Sequence, residues 1–142
     1  MKDNFFLDTN ILVYSFDQSQ PQKQSISKKL INEALTQKTG NISYQVIQEF
    51  LNIASRKFVT PLSLEDCEIY LSNVLEPLCS VFSSPELFHH ALEISSRWKF
   101  SFYDSLIVAA ALSLNCKILY TEDLQHNQKI ENMIIVNPFL NL

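Results

Sequence analysis

The chain has 142 residues, 46% hydrophobic and 18% charged, with a formal net charge of −4. That length suits one ordinary domain, and that balance excludes a disordered chain. The acidic charge argues against an undirected grip on nucleic acid, though a bound divalent ion would reverse the sign locally.

In chain order, Asn4 to Leu7 reads as a short buried strand ended by Asp8, and Ile11 to Phe16 as a short helix. Pro21 sits where a first helical turn begins, and Ile26, Leu30, Ile31, Ala34 and Leu35 give that helix one apolar face. Gly40, the one glycine of the chain, is the expected helix stop. "NIS" follows as a strand, then a helix from Ser43 to Phe58. Ser63 is placed to cap a helix carrying Glu65, Asp66, Glu68 and Glu76, which forms an acidic side of the molecule. "CSVF" is a strand, and Ser84–Pro85 opens another helix. "FYDSLIVAAALSLN" is a helix apolar nearly all round, and therefore buried. "KILYT" and "MIIVNP" are the last strands.

Strands alternate with helices throughout. The expected fold class is α/β: three layers, a central, mostly parallel sheet of four to five strands, helices on its faces, and one domain over 1–142. Ligands of such sheets bind beyond the carboxyl ends of the strands. The longest apolar run, Leu106 to Leu112, is too short to span a bilayer, and the start is broken by Asp3, Asp8 and Asp17. A cytoplasmic protein is expected, with Cys67, Cys79 and Cys116 reduced.

Four acids fall at informative places. Asp8 closes the first strand, Glu49 borders the apolar face of the third helix, Asp104 begins the buried helix, and Asp123 follows "KILYT". Each has a plain reading. Asp8 or Asp104 could cap a helix, Glu49 could be a solvated helix surface, and Asp123 a loop acid with Glu122 as an equal candidate to face inward. Together, a parallel sheet lets all four meet on one rim. Carboxylates so crowded stay ionised only beside a cation, and an oxygen-only donor set suits Mg²⁺ or Mn²⁺. His89, His90 and His126 form no metal-spaced group, and neither a P-loop, a GxGxxG nor a nucleophile elbow is present.

"FLDTNILVY", "VIQEF", "FYDSLIVAAAL" and "LYTEDLQH", in that order, resemble the PIN-domain ribonucleases, and most of all the VapC-type toxins of toxin–antitoxin pairs. The resemblance implies a catalytic quartet of Asp8, Glu49, Asp104 and Asp123. It implies metal on Asp8, Asp104 and Asp123, Glu49 acting through water, and Asn10 and Thr121 as supporting residues. It further implies Mg²⁺-dependent cleavage of single-stranded or loop RNA leaving a 5′-phosphate, a homodimer, and a small antitoxin as partner. Relatives often carry Gly where this chain has Asn127, a residue that tolerates a left-handed backbone. Arg56, Lys57, Arg97 and Lys99 are the candidate phosphate contacts. Two other phosphate chemistries are weaker fits. A haloacid-dehalogenase-type phosphohydrolase wants an acid two residues after Asp8, where Asn10 stands, and a receiver domain wants paired early acids. A non-cutting PIN-like module that binds RNA or protein is the non-enzymatic alternative.

Overall fold

A computed structural model describes residues 3–141. Its centre is a sheet in the order β3-β2-β1-β4-β6-β5. The strands are β1 (Phe5–Leu7), β2 (Gly40–Ser43), β3 (Cys79–Val81), β4 (Ile118–Tyr120), β5 (Lys129–Ile130) and β6 (Met133–Val136). All pairings are parallel except β5 with β6. The helices are α1 (Thr9–Tyr14), α2 (Pro21–Gln37), α3 (Tyr44–Arg56), α4 (Leu64–Tyr70), α5 (Glu76–Leu78), α6 (Pro85–Trp98) and α7 (Phe102–Ser113). A π-helical turn, Leu71–Leu75, joins α4 to α5.

The α/β class and the mostly parallel sheet agree with the sequence reading. The sheet has six strands rather than four to five. The extra strand is β5, two residues that pair back on β6 through a turn at Glu131. Two residues are too few to carry a period of two, so no alternation marks them.

Most helix starts follow the serines. Ser43, Ser63, Ser84 and Ser101 each accept a backbone N–H from the first turn of α3, α4, α6 and α7. Ser101, not Asp104, therefore caps α7. The first helix begins at Thr9 rather than Ile11, with Asp8 as its cap. Helix α2 stops at Lys38, in the left-handed region at φ 56°, not at Gly40. Lys99 ends α6 in the same way at φ 63°, and Asn127 holds its turn at φ 68°, as its residue type allows.

Gly40 serves packing instead. It opens β2 directly under α2, where a Cβ would overlap the Ala34 side chain and lie 3.0 Å from the Phe5 ring. The core spreads from β1, wholly buried, through Ile42, Leu119 and Ile135 of the neighbouring strands to α7, buried without a break from Ser105 to Ala111.

The chain runs outward from β1 to β2 and β3, then crosses back to lay β4 on the other side of β1. Strand order thus reverses at the β1–β4 boundary, and a crevice opens beyond the carboxyl ends of these strands.

Gly40→Ala should cost about 1–3 kcal/mol in urea denaturation, the usual range for overpacking. Adding Ala34→Gly should make the pair lose less than the sum of the single changes, because the two positions share one contact.

Candidate active site: four carboxylates at the strand switch

Strand register builds the first half of the site. Leu7 pairs with Tyr120, so the next residues, Asp8 and Thr121, stand side by side. The Asp8 N–H donates to the Tyr120 carbonyl at 3.0 Å, and Thr121 Oγ1 donates to Asp8 Oδ2 at 2.8 Å. The other oxygen, Asp8 Oδ1, accepts the Thr9 N–H at 2.7 Å. Thr121 Oγ1 in turn accepts the Asp123 N–H at 3.1 Å, which fixes the start of the loop after β4.

Helix packing builds the second half. Helix α1 lies on α3, and Thr9 Oγ1 donates to Glu49 Oε1 at 2.7 Å. One hydrogen-bonded string therefore runs from Glu49 through Thr9, Asp8 and Thr121 to Asp123. Asp104 enters from the first turn of α7. Asp8, Glu49, Asp104 and Asp123 all line one cavity of about 340 Å³, with Asn10, Tyr14, Gln45 and Tyr103 among its other walls.

The two equal candidates in the "TED" loop part company here. Glu122 accepts hydrogen bonds from Tyr14 Oη and Lys23 Nζ, both at 2.6 Å, and Asp123 lines the cavity. Burial alone would raise the Glu122 carboxyl, but these two hydrogen bonds and the Lys23 charge hold it below its usual value. The candidate phosphate contacts Arg56, Lys57, Arg97 and Lys99 do not line the cavity. His126 accepts the Asn137 N–H at Nδ1, 3.0 Å away.

The electrostatics are those of crowded, half-dry carboxylates. Burial pushes Asp8 up to about 7. Hydrogen bonds from Thr121 and Thr9 pull it down, and the charges of Asp123 and Glu49 push it further up. Asp123 is raised too, by burial first and then by the charge of Asp104; Asn10 opposes the rise and Glu122 adds to it. The Asn10 amide lies near enough to favour the Asp123 charge, yet makes no well-formed hydrogen bond, and both its polar atoms are buried without a partner.

Among the described residues, no three acidic, histidine or cysteine side chains are drawn tightly enough together to grip an ion as they stand. The chemistry of the donors nevertheless fits a hard cation. The cavity offers carboxylate and amide oxygens and neither sulfur nor imidazole. The raised Asp8 and Asp123 and the unpartnered Asn10 oxygen are groups that a cation would satisfy.

Thr9 was not singled out in the sequence. Its signal is positional: it follows a strand-end acid and sits in the first turn of a helix. Tyr14, Gln45 and Tyr103 carry no such signal as cavity walls.

The profile of the PIN domain family matches residues 5–130, and the chain belongs to that family. Solved structures agree at the level of fold. A toxin–antitoxin complex from Klebsiella pneumoniae superposes with a TM-score of 0.68 at 18% identity, over 96% of this chain and 98% of that one. VapC20 of Mycobacterium tuberculosis, a toxin that cleaves the sarcin–ricin loop, gives 0.63 at 18% identity, over 84% and 90%. VapBC2 of Rickettsia felis, bound to a promoter DNA fragment, gives 0.61 at 21% identity, over 92% and 96%. No protein of curated function matches the sequence significantly. Among the described residues, no helix is long and apolar enough to cross a membrane.

Asp8→Asn tests the cost of the buried charge. Folding raises the Asp8 pKa from 3.8 to about 7. The folded state therefore holds the proton more tightly, a gain that is full below pH 3.8 and lost as pH rises through about 7. The asparagine variant escapes that loss. In EDTA it should be more stable than wild type by roughly 2–4 kcal/mol at pH 8, with the advantage shrinking towards pH 4, in paired urea denaturations.

Proposed function

We propose that the protein is a divalent-metal-dependent endoribonuclease, cutting single-stranded or loop RNA with Mg²⁺ (or Mn²⁺), and that it is the toxin of a toxin–antitoxin pair. The observation that carries the reading is the convergence of Asp8, Glu49, Asp104 and Asp123 on one cavity at the β1–β4 switch. The fold relatives that are toxins, one of them an RNA-cleaving toxin by name, support it.

In this reading Asp8, Asp104 and Asp123 would hold the ion, and Glu49 would act through water. When bound, the ion would supply Lewis acidity, lowering the pKa of a water and offsetting charge on the phosphate. The protein's own groups do the rest. Thr121 and Thr9 clamp the two oxygens of Asp8, so that carboxylate keeps its direction when it loses its proton. Because Asp8 is protonated up to about pH 7 in the free protein, ion binding competes with that proton and strengthens as pH rises. Thr9 holds one oxygen of Glu49 and leaves the other to orient a water. The Asn10 amide offers a donor and an acceptor beside Asp123.

Two surfaces support the proposed partners. Tyr44, Phe82, Phe88, Phe102 and Tyr103, all exposed, cluster at the starts of α3, α6 and α7 around a groove of about 310 Å³ with no charged lining. A patch of that kind on one end of a small chain suits a second copy of it, and a homodimer is our assignment. A groove lined by Phe16, Phe58, Val59 and Leu62 shares Val13 and Ile53 with the carboxylate cavity. An apolar antitoxin segment lying there would cover the approach to the site. The whole chain acts as a single domain.

Asp104→Asn should cut Mg²⁺-dependent cleavage of a loop-containing RNA by more than about a hundredfold, beyond the usual loss for an outer-sphere partner, with the circular dichroism spectrum unchanged. EDTA should do the same to wild type freed of any co-purified antitoxin. Full activity of the Asp104→Asn protein would remove Asp104 from the site. Phe82→Ser combined with Phe102→Ser should halve the mass seen by light scattering, from dimer to monomer; an unchanged mass would place the dimer contact elsewhere.

A further inference from the structure

Directly behind the carboxylate cavity lies an ion pair that the proposed reaction does not use. Lys23 Nζ of α2 stands 2.6 Å from Glu122 Oε2, the one ion pair among the described residues. The other Glu122 oxygen accepts from Tyr14 Oη at 2.6 Å, and Lys23 Nζ also reaches Tyr14 Oη at 3.3 Å. The ammonium sits 4.6 Å from the centre of the Tyr14 ring and 5.4 Å from that of Phe139, and these two rings meet edge to face. Tyr14 itself is a wall of the cavity. Both oxygens of Glu122 are thus tied to helices α1 and α2, and Glu122 does not line the cavity.

The next residue is Asp123. Loops are more mobile than the elements they join, so local ties decide which of two adjacent acids is presented inward. The loop here is tied at its first residues, the Asp123 N–H to Thr121 and the Glu122 carboxylate to Lys23 and Tyr14. We propose that Lys23, with Tyr14, is a positioning residue: it pins Glu122 outward so that Asp123, and not Glu122, is presented to the cavity. The inference rests on the metal-dependent reading of that cavity. Without Lys23, Glu122 keeps one tether, the Tyr14 hydroxyl at 2.6 Å, and a fifth carboxylate gains access to a pocket that already holds four.

The test uses Lys23→Met, Lys23→Arg, and Lys23→Met combined with Glu122→Gln, all in the full-length protein. Two quantities are read: steady-state RNA cleavage with Mg²⁺, and Mn²⁺ affinity by calorimetry without RNA. Lys23→Met should lower kcat and Mn²⁺ affinity each by about tenfold, the common loss when an outer partner of a site is removed, with KM for RNA little changed. Lys23→Arg should stay close to wild type. Adding Glu122→Gln should recover most of the loss, because the neutral amide is a poor competitor for the ion. A merely structural ion pair would change stability but leave kcat and Mn²⁺ affinity of the folded variants unmoved.

Wild-type behaviour of Lys23→Met in both measurements overturns the proposal, and so does a double variant no better than Lys23→Met. Should Lys23→Met fail to fold, a Lys23→Arg protein that folds but loses Mn²⁺ affinity overturns it equally. If wild type binds Mn²⁺ but cuts no RNA, the ribonuclease reading fails while the Mn²⁺ comparison still decides the role of Lys23. Absence of Mn²⁺ binding by wild type overturns both.

Discussion

Asp8 is a carboxylate at 6% exposure, beyond the end of a fully buried strand, and much of the molecule is arranged around that cost. An ionised group so dry is tolerated only with partners. Its partners come from three places: the first turn of α1, the strand β4 beside it, and the free proton that burial favours. Thr9 and Thr121 supply the first two, and each then reaches a second acidic residue: Thr9 through its hydroxyl to Glu49, and Thr121 by accepting the Asp123 N–H. The geometry of three acids is therefore set by how one of them is kept in the core. That is an economical way to hold an acidic cluster, because the same hydrogen bonds that permit folding also fix where the acids stand.

The sheet topology makes this arrangement available. Only at the β1–β4 boundary do two neighbouring strands send their outgoing loops in opposite directions. Asp8 and Thr121 are the first residues past the paired ends of those strands, so parallel pairing alone brings together groups separated by 113 positions in the chain. The acid on α7 arrives by a different constraint. A helix buried over most of its length must end close to the core, and its first turn is the part that opens to the crevice.

How much of this was legible in the sequence depends on the range of the causes. Helix starts were readable because a serine cap and its first-turn partner are local; Ser63 and Ser84 announce α4 and α6 within a few residues. Asp8, Asp104 and Asp123 were readable because each lies next to a strand end or in a buried helix, both visible as apolar runs, and Glu49 because it borders the apolar face of α3. The choice between Glu122 and Asp123 was not, since the partner that holds Glu122 is a lysine 99 positions away. Nor was the Thr9–Glu49 bond, which spans 40 positions and exists because two helices touch. Gly40 was misread for a related reason. Its position after a helix suggested a conformational role, whereas a packing contact with Ala34 decides it. The strand β5 left no trace because two residues hold no pattern.

A chain with a single glycine, spent on packing, has to turn its corners with other residues. Lys38, Lys99, Asn115, Asn127 and Glu131 all take left-handed backbone angles. The asparagines accept this readily, but for the lysines and the glutamate it costs about 1 kcal/mol each. Those three residues are exposed and stand outside the carboxylate cavity. The thermal endurance of this fold and the chemistry of its crevice are therefore separable properties, and lineages or designers can tune the one at its corners without touching the other.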